Sequence, residues 1–183
     1  MNLLFKLTDK DFGLEPKEMK NFELRTASRG LIFGDDGKIA IQFKTNKNEY
    51  KLVGGGMEIG ENPETAFKRE ALEEAGCEIE IISKLGIIEE YKSLNNLKQI
   101  SNIYLAKVIK NMHELNLDKK EEIEGAKLIW ESPKDALKLI AGCYEKLKPS
   151  EFESVYSTRF VILRDKKILE YYLKEIVNGD ALF

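Results

Sequence analysis

The chain has 183 residues, 43% of them hydrophobic and 33% charged, with a formal net charge of −3. That is enough apolar material for one domain, or one domain with an appendage. The balance offers no basic excess to recruit nucleic acid non-specifically, and no apolar run approaches the roughly 20 residues of a membrane span.

The opening MNLLFKLTDKDFG meets charges after a few apolar residues and does not read as a signal peptide. Two cysteines, Cys77 and Cys143, stand far apart without metal or redox spacing. They argue against a disulfide framework and for a reducing, cytoplasmic setting.

Residues 1–20 read as a short strand followed by a polar turn, an N-terminal extension or edge strand ahead of a domain over 21–183. FELRTASRGLIF (22–33) reads as a strand, and Gly34-Asp35-Asp36-Gly37 is a hairpin signal. KIAIQFK (38–44) alternates as a strand, TNKN turns, and EYKLVGG (49–55) runs as a third strand into three glycines. Asn62 suits an N-cap, Pro63 the first helical position, and Gly76 a helix stop. Two long strands follow, over 77–91 and 97–110, with SLNN as their turn. HELNLDKKEEIEG (113–125) reads as an acidic loop and AKLIWE (126–131) as a strand. Ser132-Pro133 opens a helix through about Ala141, and apolar residues at helical spacing predict a last helix from about Tyr156 to Ile176. Strands and helices do not alternate regularly, so the pattern favours an α+β fold with a mixed β-sheet between helices.

The helix behind the glycines carries the chemistry. Six glutamates lie between Glu58 and Glu74, against two cations, Lys68 and Arg69. Glu70, Glu73 and Glu74 stand at i, i+3 and i+4, so they project from one side, while Phe67, Ala71 and Ala75 can pack on a sheet. Each like-charge pair costs about 0.2–0.5 kcal/mol when exposed. A hard divalent cation, Mg²⁺ or Mn²⁺, removes that cost by taking carboxylate oxygens as ligands. Gly54-Gly55-Gly56 lets a backbone carbonyl approach the same ion. Arg69, four residues before Glu73, can hold its carboxylate. A plain solvated helix face is the usual meaning of such glutamates; the glycine run and the capped helix weigh against it here.

Gly55, five residues, Glu61, seven residues, then Arg69-Glu70-Ala71-Leu72-Glu73-Glu74-Ala75-Gly76-Cys77 resembles the Nudix box at every fixed position. The resemblance implies the Nudix α/β/α sandwich over about residues 20–175. It also implies a Mg²⁺-dependent (or Mn²⁺-dependent) hydrolase that splits the diphosphate linkage of a small nucleotide derivative. By position, it makes Glu70, Glu73 and Glu74 metal ligands, with the Gly55 carbonyl beside them. Arg69 and Glu61 become the supporting pair, and Gly76 a structural member of the box. Family members often need one further acid from outside the box as ligand or base. Glu122 and Glu124, in the acidic loop, are the preferred candidates here, with Glu121, Glu89 and Glu90 behind them.

The substrate is less legible. A nucleotide sugar such as ADP-ribose, or a nucleoside triphosphate, heads the list, yet the segment IIEEYKS lacks the proline that ADP-ribose types carry downstream of the box. Tyr91 is out of register for the diadenosine polyphosphate type. The intact box argues against isomerase chemistry. Arg25 and Arg29 are candidates for phosphate binding, and Tyr50, Tyr91, Tyr104 and Trp130 for stacking on a base. His113, the only histidine, falls in a polar loop and reads as solvated. A homodimer through the N-terminal segment stays open. A nucleotide sensor without turnover, and a broad-specificity housekeeping hydrolase, are the alternative readings.

Overall fold

The computed structural model describes residues 2–112 and 114–177; His113 lies outside them. In chain order the elements are β1 (Leu3–Thr8), β2 (Glu23–Phe33), β3 (Ile39–Lys44), β4 (Glu49–Leu52), β5 (Gly54–Gly56), α1 (Pro63–Ala75), β6 (Cys77–Lys92), β7 (Leu97–Asn111), α2 (Lys119–Glu124), β8 (Ala126–Glu131), α3 (Pro133–Gly142) and α4 (Val155–Tyr171). The α+β class with a mixed sheet is therefore as the sequence predicts. Among the described residues no helix is long and apolar enough to cross a membrane. The chain divides into two compact units.

The first unit comprises Met1–Ile32 and Val53–Leu115. Its strands run in the order β1-β6-β7-β2, and β5 pairs with β2. β6 and β7 form a long antiparallel hairpin, and β1 lies parallel to β6 at the edge. The parallel pairing of β1 with β6 beside antiparallel pairings makes the sheet mixed. Asn96, at φ 50°, closes the hairpin turn, a conformation that asparagine tolerates. α1 packs on β5 and β6. It buries Phe67, Ala71 and Ala75, the apolar stripe read from the sequence, and also Ala66. The Phe67 ring stacks on Tyr104 at 5.7 Å. Burying a Phe side chain contributes about 1.5–3 kcal/mol.

Both predicted ends of α1 are present. Asn62 accepts a hydrogen bond from the Thr65 N–H, and Gly76 takes the left-handed conformation at φ 57°. A Cβ at Gly76 would also lie 2.7 Å from the Glu114 carbonyl oxygen, so backbone angle and close approach both call for glycine.

The second unit comprises Phe33–Leu52 and Asn116–Phe183. β3 runs antiparallel to both β4 and β8, and α3 and α4 pack on one another and on β4. Ile39, Ile41, Leu52, Ala136, Ile140, Phe160, Ile168 and Leu169 are buried here. Buried Asp165 accepts a hydrogen bond from the Leu52 N–H at 2.9 Å, which satisfies the end of β4. α4 passes into a π-helical turn over Tyr172–Val177.

The segment read as an acidic loop contains the short helix α2, a correction to the sequence reading. Asp118 caps it, accepting from the Glu121 N–H while the Glu121 side chain accepts from the Asp118 N–H. Gly125 ends it at φ 70°. This reciprocal capping box lies in the letters Asp-Lys-Lys-Glu.

A buried charge network ties this unit together. Lys47 is fully buried, with its Nζ 2.6 Å from Glu49 Oε2 and 2.7 Å from Glu153 Oε2. Lys44 donates to Glu124 Oε2 at 2.7 Å, and Ser150 donates to Glu124 Oε1 at 2.6 Å. Burial pushes the Glu153 carboxyl up, but the Lys47 ammonium outweighs it and holds the group down at about 2. A depressed carboxylate stabilises the fold above its ordinary value of 4.5. That contribution is lost as pH falls from there through about 2. Lys47→Met leaves Glu49 and Glu153 without their shared cation, and we expect a loss of about 3–5 kcal/mol in urea denaturation at neutral pH. A loss under about 1 kcal/mol would show that the network relaxes around the gap.

Candidate functional site

The site assembles in the first unit, where the glycine strand β5 meets α1. β5 lies antiparallel to β2, with Ala27 opposite Gly56, Ser28 opposite Gly55 and Arg29 opposite Gly54. A Cβ at Gly55 would lie 2.7 Å from Glu70 Oε2 and Cδ. Only glycine lets that carboxylate close over the strand, which explains the residue at this box position.

Arg69 is the hub. Its Nε donates to Glu61 Oε1 at 2.9 Å and its Nη2 to Glu61 Oε2 at 3.1 Å, a two-point grip. The same Nη2 donates to the Gly56 carbonyl at 2.9 Å. Nη1 donates to Glu70 Oε1 at 3.0 Å and to Glu73 Oε2 at 2.8 Å. One guanidinium thus holds three carboxylates and one carbonyl. Glu61 is fixed further by the Glu58 N–H at 2.8 Å. Hydrogen bonds from Arg69 first, then that N–H, hold the Glu61 carboxyl below its ordinary range. The bond to Glu61, with the carboxylates of Glu70 and Glu73, raises Arg69 still further, so it stays charged.

Glu74 is buried and accepts the Gly54 N–H at 2.8 Å, joining helix to glycine strand. Glu70 is also buried, while Glu73 is partly exposed. Among the described residues no three His, Cys, Asp or Glu side chains are gathered closely enough to hold a metal ion as they stand. The hydrogen bonds give the reason: Glu74 is turned to a backbone N–H, and Glu70 and Glu73 are drawn to Arg69. The chemistry of the donor set still fits a hard divalent cation. Three carboxylates on one helix side and a glycine strand under one of them supply oxygen and no softer atom.

The two other cations named from the sequence also reach the glycine strand. Arg29 is buried, and its Nη1 donates to the Gly54 carbonyl at 3.4 Å. Arg25 is exposed, and its Nη2 lies beside Gly56, 3.0 Å from where a Cβ would stand. Both share one face of β2 by alternation, the face of Ala27.

The remaining candidates are placed differently. Tyr50, Glu122 and Glu124 belong to the second unit. One face of Tyr50 is covered by Phe43, stacked at 4.2 Å. Glu124 is buried on Lys44 and Ser150, while Glu122 is exposed in the first turn of α2. Glu121 is bonded to Gln42. In the first unit, Glu89 accepts from Tyr91 and Lys98, and Glu90 is buried against Gln99 and Lys92. Tyr91 has Lys6 and Lys98 over its ring, Tyr104 is buried against Phe67, and Trp130 is half-buried beside Gly34. Sequence reasoning passed over Ser28, whose position rests on the pairing of β2 with β5 and has no local signal.

Three comparisons bear on this arrangement. The family model for the NUDIX domain matches residues 23–150. A MutT-like protein of Streptomyces ambofaciens is 30% identical over 74 residues, which cover 40% of this chain and 48% of that protein. The match therefore spans about half the length of that relative. Among solved structures, a NUDIX hydrolase from Nitrosomonas europaea superposes with a TM-score of 0.54 at 16% identity, covering 75% of this chain and 88% of that one. The MutT protein of Methanosarcina mazei Go1 gives 0.52 at 17% identity, covering 85% and 99%. Likeness at these identities speaks to the fold.

Proposed function

Because the chain belongs to the NUDIX domain family, we propose that it is a divalent-metal-dependent hydrolase of the diphosphate linkage in small nucleotide derivatives. The observation that carries this reading is the Arg69-centred grip on Glu61, Glu70 and Glu73 beside the glycine strand. Such a grip preorganises a set of carboxylates that would otherwise repel one another.

Glu70, Glu73, Glu74 and the Gly55 carbonyl would hold the cation, Mg²⁺ or Mn²⁺. When bound, it offsets the charge of the diphosphate and lowers the pKa of a water. The chain's own residues do the rest. Arg69 and Glu61 orient the carboxylates, and Glu74 keeps the glycine strand against α1. Arg25, exposed at the strand's edge, offers a guanidinium to a phosphate oxygen. Arg29 is better suited to supporting Gly54. Of the two acids named outside the box, both in the second unit, the Glu124 carboxylate is already tied to Lys44 and Ser150, while Glu122 is exposed. A nucleotide sugar such as ADP-ribose, or a nucleoside triphosphate, is the substrate class.

The test is a panel of nucleotide diphosphate derivatives and nucleoside triphosphates assayed with Mg²⁺, with Mn²⁺ and with a chelator. We expect metal-dependent turnover concentrated on one class and abolished by the chelator. Tight binding of one compound without turnover would replace the reading with a sensor. Slow, comparable turnover of many would make it a generalist.

A further inference from the structure

Ser28 is fully buried, and its Oγ has no hydrogen-bond partner among the described residues. It stands directly opposite Gly55. Residues directly opposite on antiparallel strands send their side chains to the same face. The Cβ that Gly55 lacks would land against the Glu70 carboxylate. Ser28 therefore presents its hydroxyl on the Glu70 side of the strand pair. The neighbouring register agrees: Ala27 is opposite Gly56, whose missing Cβ points at Arg25, on the other face.

A buried hydroxyl with nothing to bond costs about 1–3 kcal/mol, so packing alone would favour alanine here. The Glu70 carboxylate, meanwhile, shares one donor with Glu73. Arg69 Nη1 serves Glu70 at 3.0 Å and Glu73 at 2.8 Å together. Any cation that draws these carboxylates towards itself divides that shared donor. A hydroxyl turns freely about its C–O bond and can take up an oxygen that the guanidinium gives up.

We propose that Ser28 is a positioning residue of the site, its hydroxyl donating to the Glu70 carboxylate when a divalent cation is bound. The proposal rests on the hydrolase reading above. Outer hydrogen bonds of this kind fix the orientation of ligating carboxylates, and their removal weakens metal affinity at least about tenfold.

The experiment is a Mn²⁺ titration of the full chain, followed by calorimetry, on the parent, Ser28→Ala and Ser28→Thr, with melting curves taken without metal. Ser28→Ala should raise the Mn²⁺ Kd about tenfold, while its metal-free Tm stays level or rises. Ser28→Thr should recover affinity to within about threefold of the parent, because it restores the hydroxyl. Unchanged Mn²⁺ affinity in Ser28→Ala overturns the proposal alone. So does a lowered metal-free Tm with unchanged affinity, the mark of a structural role. A parent chain that binds no Mn²⁺ removes the hydrolase reading first, and this proposal with it.

Discussion

Arg69→Ala should damage stability and turnover together. The side chain makes five hydrogen bonds, to Glu61, Glu70, Glu73 and the Gly56 carbonyl. Its loss takes away the cation that buried Glu70 shares with partly buried Glu61 and Glu73. The expected cost is about 2–4 kcal/mol, less than for a fully buried pair because water reaches part of the cluster. Turnover of the best substrate should fall at least about 100-fold, because the carboxylates lose the group that orients them. Arg69→Lys sharpens the test. Lysine keeps the charge but cannot grip Glu61 at two points while reaching Gly56. It should recover part of the stability and little of the activity. Equal recovery of both would mean that charge alone, not the planar fork, does the work.

Glu73→Gln should separate the two quantities. Glu73 is the most exposed of the three carboxylates and contacts Arg69 through one oxygen. A glutamine amide oxygen can still accept that bond, and one negative charge leaves a crowded helix face. Stability in the absence of metal should change by less than about 1 kcal/mol. Turnover should nevertheless drop at least about 100-fold if this oxygen serves the cation. Activity within a few-fold of the parent would count against the ligand assignment. Glu74 should behave otherwise. Its bond to the Gly54 N–H means that Glu74→Ala also removes a buried hydrogen bond, costing about 1–3 kcal/mol. Glu74→Gln keeps an acceptor, so it should melt close to the parent and still lose activity. Melting curves and rates measured side by side on these three variants distinguish ligand from strut.

Much of this molecule is local, and local features are legible in one dimension. α1 begins at Asn62-Pro63 and ends at Gly76 because capping and left-handed backbone depend on adjacent residues alone. The hairpin of β6 and β7 follows from two apolar runs around a polar turn. The box itself is a spacing, so its membership could be read before any coordinate was seen. The short helix α2 was legible too: its capping box spans four residues, and the density of charge around it hid the signal.

What the sequence by itself determined, then, was the set of elements, the acidic side of α1 and the family of the chain. Tertiary structure alone decided how the side chains are partnered. That Arg69 reaches the Gly56 carbonyl, that Lys47 is fully buried among glutamates, and that Ser28 stands opposite Gly55 each depend on segments distant along the chain being brought side by side. Strand pairing and helix docking fix those neighbours, and a polar letter carries no mark of whether its partner will be water or another side chain.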